Sequence, residues 1–464
     1  MSYSVILLFL VGIIYLPFLG NGFVADDIAG ILHNPGLGNF SSVLQAKLSF
    51  LRPLLYYLTY HLAGYNPAWF RLPSVMFHAG SVLMVFLLVS RLTIKRIGFL
   101  AAALFAVHPL VTESVIWISA GSYPMYSFFF LTALYLYISA SSKRKLYIAS
   151  LLFFILSLLS SEKAVVFPLV LTGWQMVFGK NKNMFRKLAP FYLLSLIYTV
   201  LFLGGVGGRY ESFRSNYQEV TDYNPFFRIP VAVTTYLELF FSPTLISLYH
   251  TKLVSVGEYL VRAAAFLGVV AVLVGSFKKN KYIFFWLGFF LITLIPTLTS
   301  FRVNTFLAER YVYLGSVGLF ACLGYFLNWF TGRFMRQSAL MILTGLIVVL
   351  GVGSQWRNSQ WRNQKLFAAV SAGKSPLSVQ PHLDLAAVYS EEKNYKSAQD
   401  ELKQAIELFP TNAEYHEKLG DSYFLDKRYD LAFFSYKQAL QIDPGREHVY
   451  ENMKRLYAIL NISP

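Results

Sequence analysis

Long apolar runs separated by short basic clusters fill the first 354 residues, a pattern that predicts a stack of membrane helices. The runs lie at about 4–19, 69–90, 97–107, 123–140, 146–160, 164–178, 188–206, 257–276, 282–299, 311–328 and 338–354. Several fall short of the ~20 residues that a spanning helix needs, which is tolerable where a helix lines a protein cavity. Basic clusters mark the loops of one side: Arg91, Lys95 and Arg96; Lys143, Arg144 and Lys145; Lys180, Lys182, Arg186 and Lys187; Lys278, Lys279 and Lys281; Arg333 and Arg336. The bias of Lys and Arg toward cytoplasmic loops places these inside. The stretch 229–250 is apolar, but a crossing there would carry Lys278 outside, so it reads as a re-entrant or surface-lying segment. The expectation is about eleven helices, N-terminus inside and C-terminus outside. Met1 to Leu19 lacks a basic n-region and a small-residue cleavage site, so it is expected to remain as the first helix.

A different period ends the chain. Tyr389, Tyr395, Ala398 and Pro410 return as Tyr423, Tyr429, Ala432 and Pro444, each 34 residues on, and Leu385 returns as Leu419. That is the tetratricopeptide period, two helices per repeat. Two repeats and a last helix at about 446–460 predict a small solenoid over 379–464. The domain expectation is a membrane part over 1–354, an interfacial link over 355–378 and this solenoid on the outer side. Trp356 and Trp361 of the link suit a membrane boundary.

Composition agrees: 56% of residues are hydrophobic, 17% aromatic, and the mean hydropathy is +0.49. Soluble domains rarely hold such values over this length. The net charge of +16 is split unevenly. Residues 375–464 carry ten basic and fourteen acidic side chains, a net of −4, and the rest carries thirty and ten, a net of +20. Those bases sit in short loops between apolar runs, which argues against nucleic-acid binding. The single cysteine, Cys322, excludes an intrachain disulfide and a cysteine-based zinc site.

The first 374 residues hold only ten carboxylates: Asp26, Asp27, Glu113, Glu162, Glu211, Glu219, Asp222, Glu238, Glu258 and Glu309. In this topology all ten fall in the outer loops (about 20–68, 108–122, 160–164, 207–256 and 300–310) or at their edges. Acids beside a bilayer are costly and are usually kept for function. The outer face gathers Asp26, Asp27, Arg52, His108, Glu113, Glu162, Lys163, Arg302, Glu309 and Arg310. A carboxylate there can take a proton from an acceptor hydroxyl, two adjacent ones can share a divalent ion, and Lys and Arg can hold a phosphate leaving group. A transporter or channel also keeps such residues in a membrane cavity.

Five stretches carry a resemblance: NGFVADDIAGILHNP (21–35), LRPLLYYLTYHLAGYNPAWFRLPSVMFH (51–78), LFAVHPLVTESVIWIS (104–119), LSSEKAVVFPLVL (159–171) and LAERYVYLGSVG (307–318), followed by a WRN link and the repeats. In this order they resemble the TMTC-type proteins, part of the wider GT-C glycosyltransferase group that includes protein O-mannosyltransferases. The resemblance implies a GT-C fold and a polyprenyl-phosphate-linked sugar as donor. It implies that Asp26 and Asp27 serve as base or as ligands of Mg or Mn, and that Glu113 is the acid of the second outer loop. It puts Arg310 near the lipid phosphate and Glu162-Lys163 where relatives carry a Lys/acid pair; by residue chemistry, Lys163 and Arg52 are further candidates to bind the donor phosphate. Supporting roles fall to His108, Glu162 and Glu309. The order Glu162-Lys163 reverses the Lys-Glu expected in this family, and Gly315 stands where a proline is usual.

The function expected is that of an inverting glycosyltransferase, moving a sugar to a hydroxyl, of protein Ser or Thr by the resemblance. The setting expected is a bacterial inner membrane, with site and repeats facing the periplasm and the repeats holding an acceptor protein or partner. Two alternatives stand beside it: an envelope oligosaccharide ligase or polymerase, and a non-catalytic membrane scaffold that recruits proteins through its repeats.

Overall fold

The structure is a computed structural model that describes residues 2–140, 143–179, 184–204, 225–247, 255–298, 307–333 and 336–460. It divides into a unit over Met1–Trp361 and a unit over Arg362–Pro464. Among the described residues the regular structure of both is helical, with no strand.

The first unit holds α1 (Tyr3–Tyr15), α2 (Phe40–Gln45), α3 (Leu51–Ala63), α4 (Pro67–Leu92), α5 (Lys95–Val107), α6 (Thr112–Ile116), α7 (Ser122–Ala140), α8 (Arg144–Ser160), α9 (Phe167–Phe178) and α10 (Met184–Gly204). It continues with α11 (Pro225–Phe241), α12 (Val256–Lys279), α13 (Lys281–Leu298), α14 (Tyr313–Arg333) and α15 (Arg336–Ser359). Among the described residues, five stretches are long and apolar enough to cross a membrane: Pro67–Leu92, Met184–Gly204, Val256–Lys279, Lys281–Leu298 and Glu309–Arg333. A sixth is the bent pair Lys95–Val107 and Pro109–Ile116, which turns by 59°. The stretch 229–250 begins as α11, whose inner residues Val231, Ala232, Val233 and Tyr236 are buried.

Local chemistry explains the boundaries. Asn66 caps α4 by accepting from the Ala68 N–H at 3.0 Å, with Pro67 at the first helical position where its missing N–H costs nothing. At the other end, Thr93 Oγ1 donates to the Val89 carbonyl at 2.6 Å. The bend after α5 follows from Pro109, which holds His108 in an extended conformation and cannot continue the helix. This makes α6, within the stretch 108–122 expected on the outer side, a short buried turn of helix: Thr112 to Ile116 are all buried.

α13 and α14 approach closely at Gly318. A Cβ there would press into the Trp286 carbonyl and lie 3.1 Å from the Phe290 nitrogen. Backbone cannot yield as a flexible side chain can, so Gly318→Ala is expected to destabilise the chain by about 1–3 kcal/mol, read as a lower thermal midpoint in detergent.

The second unit contains α16 (Gln364–Lys374), then the pairs α17 (Val379–Glu391) with α18 (Tyr395–Leu408) and α19 (Ala413–Leu425) with α20 (Tyr429–Ile442), and α21 (Glu447–Leu460). Its core includes Ala386, Leu402, Leu419, Tyr423, Ala432 and Tyr436. The repeat extends to the backbone. Lys393 and Lys427, also 34 apart, both take left-handed φ values, 59° and 60°. In each case the following N–H closes the helix on the repeat tyrosine: Asn394 on the Tyr389 carbonyl at 2.8 Å, Arg428 on that of Tyr423 at 2.9 Å.

Candidate active site

Ala25 sets the site's geometry. Its φ of 50° is in the left-handed region, uncommon for a residue with a Cβ, and it introduces a tight turn. The turn is closed by the Asp27 N–H on the Val24 carbonyl and the Ile28 N–H on the Ala25 carbonyl, both 3.1 Å. The two consecutive carboxylates then part company. Asp26 is exposed and lines a cavity, whereas Asp27 is fully buried.

Asp27 Oδ1 accepts from the Ser119 N–H at 2.8 Å and from the Ser119 hydroxyl at 2.5 Å. Arg71, also fully buried, supplies the nearby positive charge. Its guanidinium donates to the carbonyls of Ile116, Leu19, Asn21 and Gly22, tying the first loop to α6. Burial lifts the Asp27 carboxyl to about 6, against the opposing pull of the Ser119 hydrogen bonds and the Arg71 charge. A raised value means that folding favours the neutral acid. This contribution is therefore largest below the ordinary carboxylate value of about 4, is lost as pH rises to about 6, and is constant above. Asp27→Asn removes the titration. Its thermal midpoint should thus gain on that of the wild type between about pH 4 and about pH 6, then hold a constant offset, in paired melts across that range.

The exposed Asp26 lies where two cavities meet. One, of about 260 Å³, is polar, with Ser119, Ser161, Glu162, Lys163, Arg52 and Arg310 in its wall. The other, of about 370 Å³, runs between the first loop and α3, with Asn34, Leu37, Val43 and Tyr56. Asp26, Arg52 and Ser119 line both. Beneath the second, Ile31, Leu37, Phe70 and Ile118 form a small core that holds the loop on α4.

Three cations reach the polar cavity, each held differently. Arg52 Nη1 donates to the Ser119 carbonyl at 2.9 Å, a neutral acceptor. Lys163 Nζ is 2.7 Å from Glu162 Oε1 and 5.1 Å from the Tyr123 ring. The Glu162 charge beside it raises Lys163, and the Lys163 charge lowers Glu162; in both, these pair interactions outweigh the opposing effect of burial. Arg310 Nη1 is 2.7 Å from Glu113 Oε1, and its guanidinium stacks 5.1 Å from Trp117.

The structure thus brings Asp26, Arg52, Glu162, Lys163 and Arg310 together around one cavity. It places Asp27, Glu113, Glu309 and His108 behind the wall. Glu113 is fully buried and accepts from Arg310 Nη1 at 2.7 Å. Glu309 is buried with Arg357 Nη2 3.5 Å away. His108 Nδ1 accepts from the Leu110 N–H at 3.1 Å and Nε2 donates to the Phe240 carbonyl at 3.0 Å, so its ring caps the bend between α5 and α6. A metal shared by Asp26 and Asp27 does not fit this donor set, because Asp27 is turned into the interior onto Ser119. Among the described residues, no three His, Cys, Asp or Glu side chains gather to hold a metal. Arg302, Glu211, Glu219 and Asp222 lie outside the described residues.

Sequence reasoning passed over Arg71 and Ser119. The available signal was a lone arginine early in the apolar stretch of α4, a position where charge is costly and usually kept. The two tryptophans of the link differ in their surroundings. Trp361 is buried against Trp117, ring centroids 5.8 Å apart, while Trp356 is exposed.

The chain is similar to known proteins in both of its parts. Residues 49–204 match the family described as dolichyl-phosphate-mannose-protein mannosyltransferase, and residues 379–412 and 413–446 each match a tetratricopeptide repeat. The protein O-mannosyl-transferase TMTC3 of Mus musculus is 35% identical over 130 residues, covering 24% of this chain and 14% of that relative. Tmtc1 of Drosophila melanogaster, of the same description, is 36% identical over 121 residues, covering 22% and 14%. A protein O-mannosyl-transferase of Caenorhabditis elegans is 24% identical over 444 residues, covering 86% of this chain and 61% of its own length. The chain therefore spans less than two thirds of these relatives. It resembles the TMTC-type protein O-mannosyltransferases, with tetratricopeptide repeats at its C-terminal end.

Proposed function

We propose that the chain is a membrane glycosyltransferase. It moves a sugar, mannose by analogy with the relatives, from a polyprenyl-phosphate carrier to a Ser or Thr hydroxyl of a protein, on the extracytoplasmic face. The observation that carries this reading is the meeting of one exposed carboxylate, Asp26, with three cations in a single polar cavity.

The chemistry follows from those positions. The acceptor hydroxyl enters beside Asp26, which takes its proton as the oxygen attacks the anomeric carbon. Attack in line with the departing oxygen inverts that carbon. The C1–O bond breaks toward phosphate, which passes from a singly charged diester to a monoester with one more negative charge. Arg52, Lys163 and Arg310 receive that charge, and fixed cations in a partly enclosed wall stabilise it without reorganising. The remaining acids do positioning work. Glu113 orients Arg310, and Glu162 orients Lys163.

Each half of the reaction has a place. The polar cavity suits a phosphorylated sugar, and the cavity along α3, which shares Asp26 with it, suits an incoming chain. The tetratricopeptide unit would hold the acceptor protein or a partner in its groove. For localisation we infer a bacterial inner membrane with the site facing the periplasm, as the positive-inside bias of the basic loops supports.

The test is mass spectrometry of glycopeptides from the cell envelope, comparing wild type with a deletion strain and with an Asp26→Asn strain at matched protein level. Loss of one defined O-linked sugar in both altered strains is expected and would identify sugar and acceptor together. An unchanged glycopeptide profile in the deletion strain would overturn the proposal.

A further inference from the structure

Behind the phosphate end of the cavity, two acids and two arginines share one cluster. Glu113 is paired with Arg310, and Glu309 with Arg357, which comes from the end of α15. Glu309 and Arg357 also act electrostatically on Glu113, so the pairs form a single set. Glu113, Glu309 and Arg357 are buried, and only Arg310 lines the cavity. Two negative charges and two positive ones balance.

That balance has a direction. Without Arg357, Arg310 would face two carboxylates in a poorly screened interior. Its field at the cavity would be cancelled, and an arriving phosphate would meet a wall of net negative charge. The position of Arg357 is firmly set. Its Nη1 donates to Gln360 Oε1 at 3.0 Å. Its guanidinium lies 5.8 Å from the Trp361 ring, Trp361 lies 5.8 Å from Trp117, and Trp117 lies 5.1 Å from the Arg310 guanidinium. Each arginine thus lies against one ring of the same indole pair.

We propose that Arg357 is a positioning residue: it neutralises Glu309 and, beside the Trp361–Trp117 ring pair, keeps Arg310 able to bind the phosphate of the donor. This rests on the proposed donor role of Arg310.

The probe is farnesyl phosphate, titrated against the full-length chain in detergent and followed by tryptophan fluorescence, with a thermal melt of each variant. Arg357→Met is expected to bind about tenfold or more weakly, and Arg357→Lys to recover most of the affinity. The double variant Arg357→Met/Glu309→Gln removes the charge that Arg357 offsets, so it should bind more tightly than Arg357→Met despite carrying one more substitution. Glu309→Gln alone should bind as tightly as wild type or more so, which keeps the test open if Arg357→Met does not fold. A purely structural Arg357 would give no such rescue. Equal binding by wild type and Arg357→Met, a double variant no better than the single, or weakened binding by Glu309→Gln would each overturn the inference. Failure of the wild type to bind farnesyl phosphate would instead remove the donor assignment of Arg310, and the inference with it.

Discussion

Asp26→Asn is expected to lower kcat for sugar transfer by about 10²–10⁴-fold while the chain stays folded, the range that removal of a general base gives. The substitution keeps size and shape but cannot accept a proton at neutral pH. Asp26 is exposed, so no buried partner is orphaned and the thermal midpoint should move little. Its neighbour provides the contrast. Asp27→Asn keeps an oxygen that can accept from Ser119, so it should retain most of the transfer rate while altering the pH dependence of stability. Purified wild type and both variants, assayed with a short-chain prenyl-phosphate sugar and acceptor peptides, would separate the two. If Asp27→Asn lost the rate and Asp26→Asn kept it, the roles drawn from the turn at Ala25 would be reversed.

The second large effect is on the fold. Arg71→Met is expected to destabilise the chain by about 3–5 kcal/mol, because it removes a buried cation on which several carbonyls and a nearby carboxylate rely. Two losses coincide. Without the nearby cation the buried Asp27 carboxylate becomes costlier to ionise and shifts toward its neutral form, and the carbonyls of Leu19, Asn21, Gly22 and Ile116 lose a common donor. Methionine fills much of the volume, so the cost is electrostatic. Adding Asp27→Asn should recover part of it, because an amide has no ionised form that needs the Arg71 charge. A double-mutant cycle on melting in detergent measures that coupling, and strict additivity would mean that Arg71 and Asp27 do not act on each other.

The helices were legible because their signals are local. Apolar runs ended by Lys278 and Lys279, or by Arg333, stop within a few residues of α12 and α14 as found. The 34-residue period located both repeats. The division of labour between Asp26 and Asp27 was not legible, since it depends on the left-handed φ of one alanine, a residue type that does not advertise such a conformation. The site's pairings were hidden for another reason. Glu113 and Arg310 are 197 positions apart, and Asn21 reaches the Asn358 carbonyl across 337. No periodicity within a sequence encodes a contact of that range. His108 was partly legible: the proline directly after it favours a structural role, and both its ring nitrogens are taken at the bend that Pro109 creates.

The matching left-handed lysines of the two repeats bear on engineering. Lys393 and Lys427 mark equivalent joints, so the backbone itself, and not only the side-chain pattern, is periodic. An array of that kind behaves as a one-dimensional lattice, in which each added unit contributes its own stability and one new interface. A third 34-residue module, spliced in phase between the joints, would meet neighbours it already fits. The length of the C-terminal array is thus an adjustable parameter, open to lengthening or to grafting of a foreign recognition surface, while the residues of the proposed chemistry all lie in the first unit.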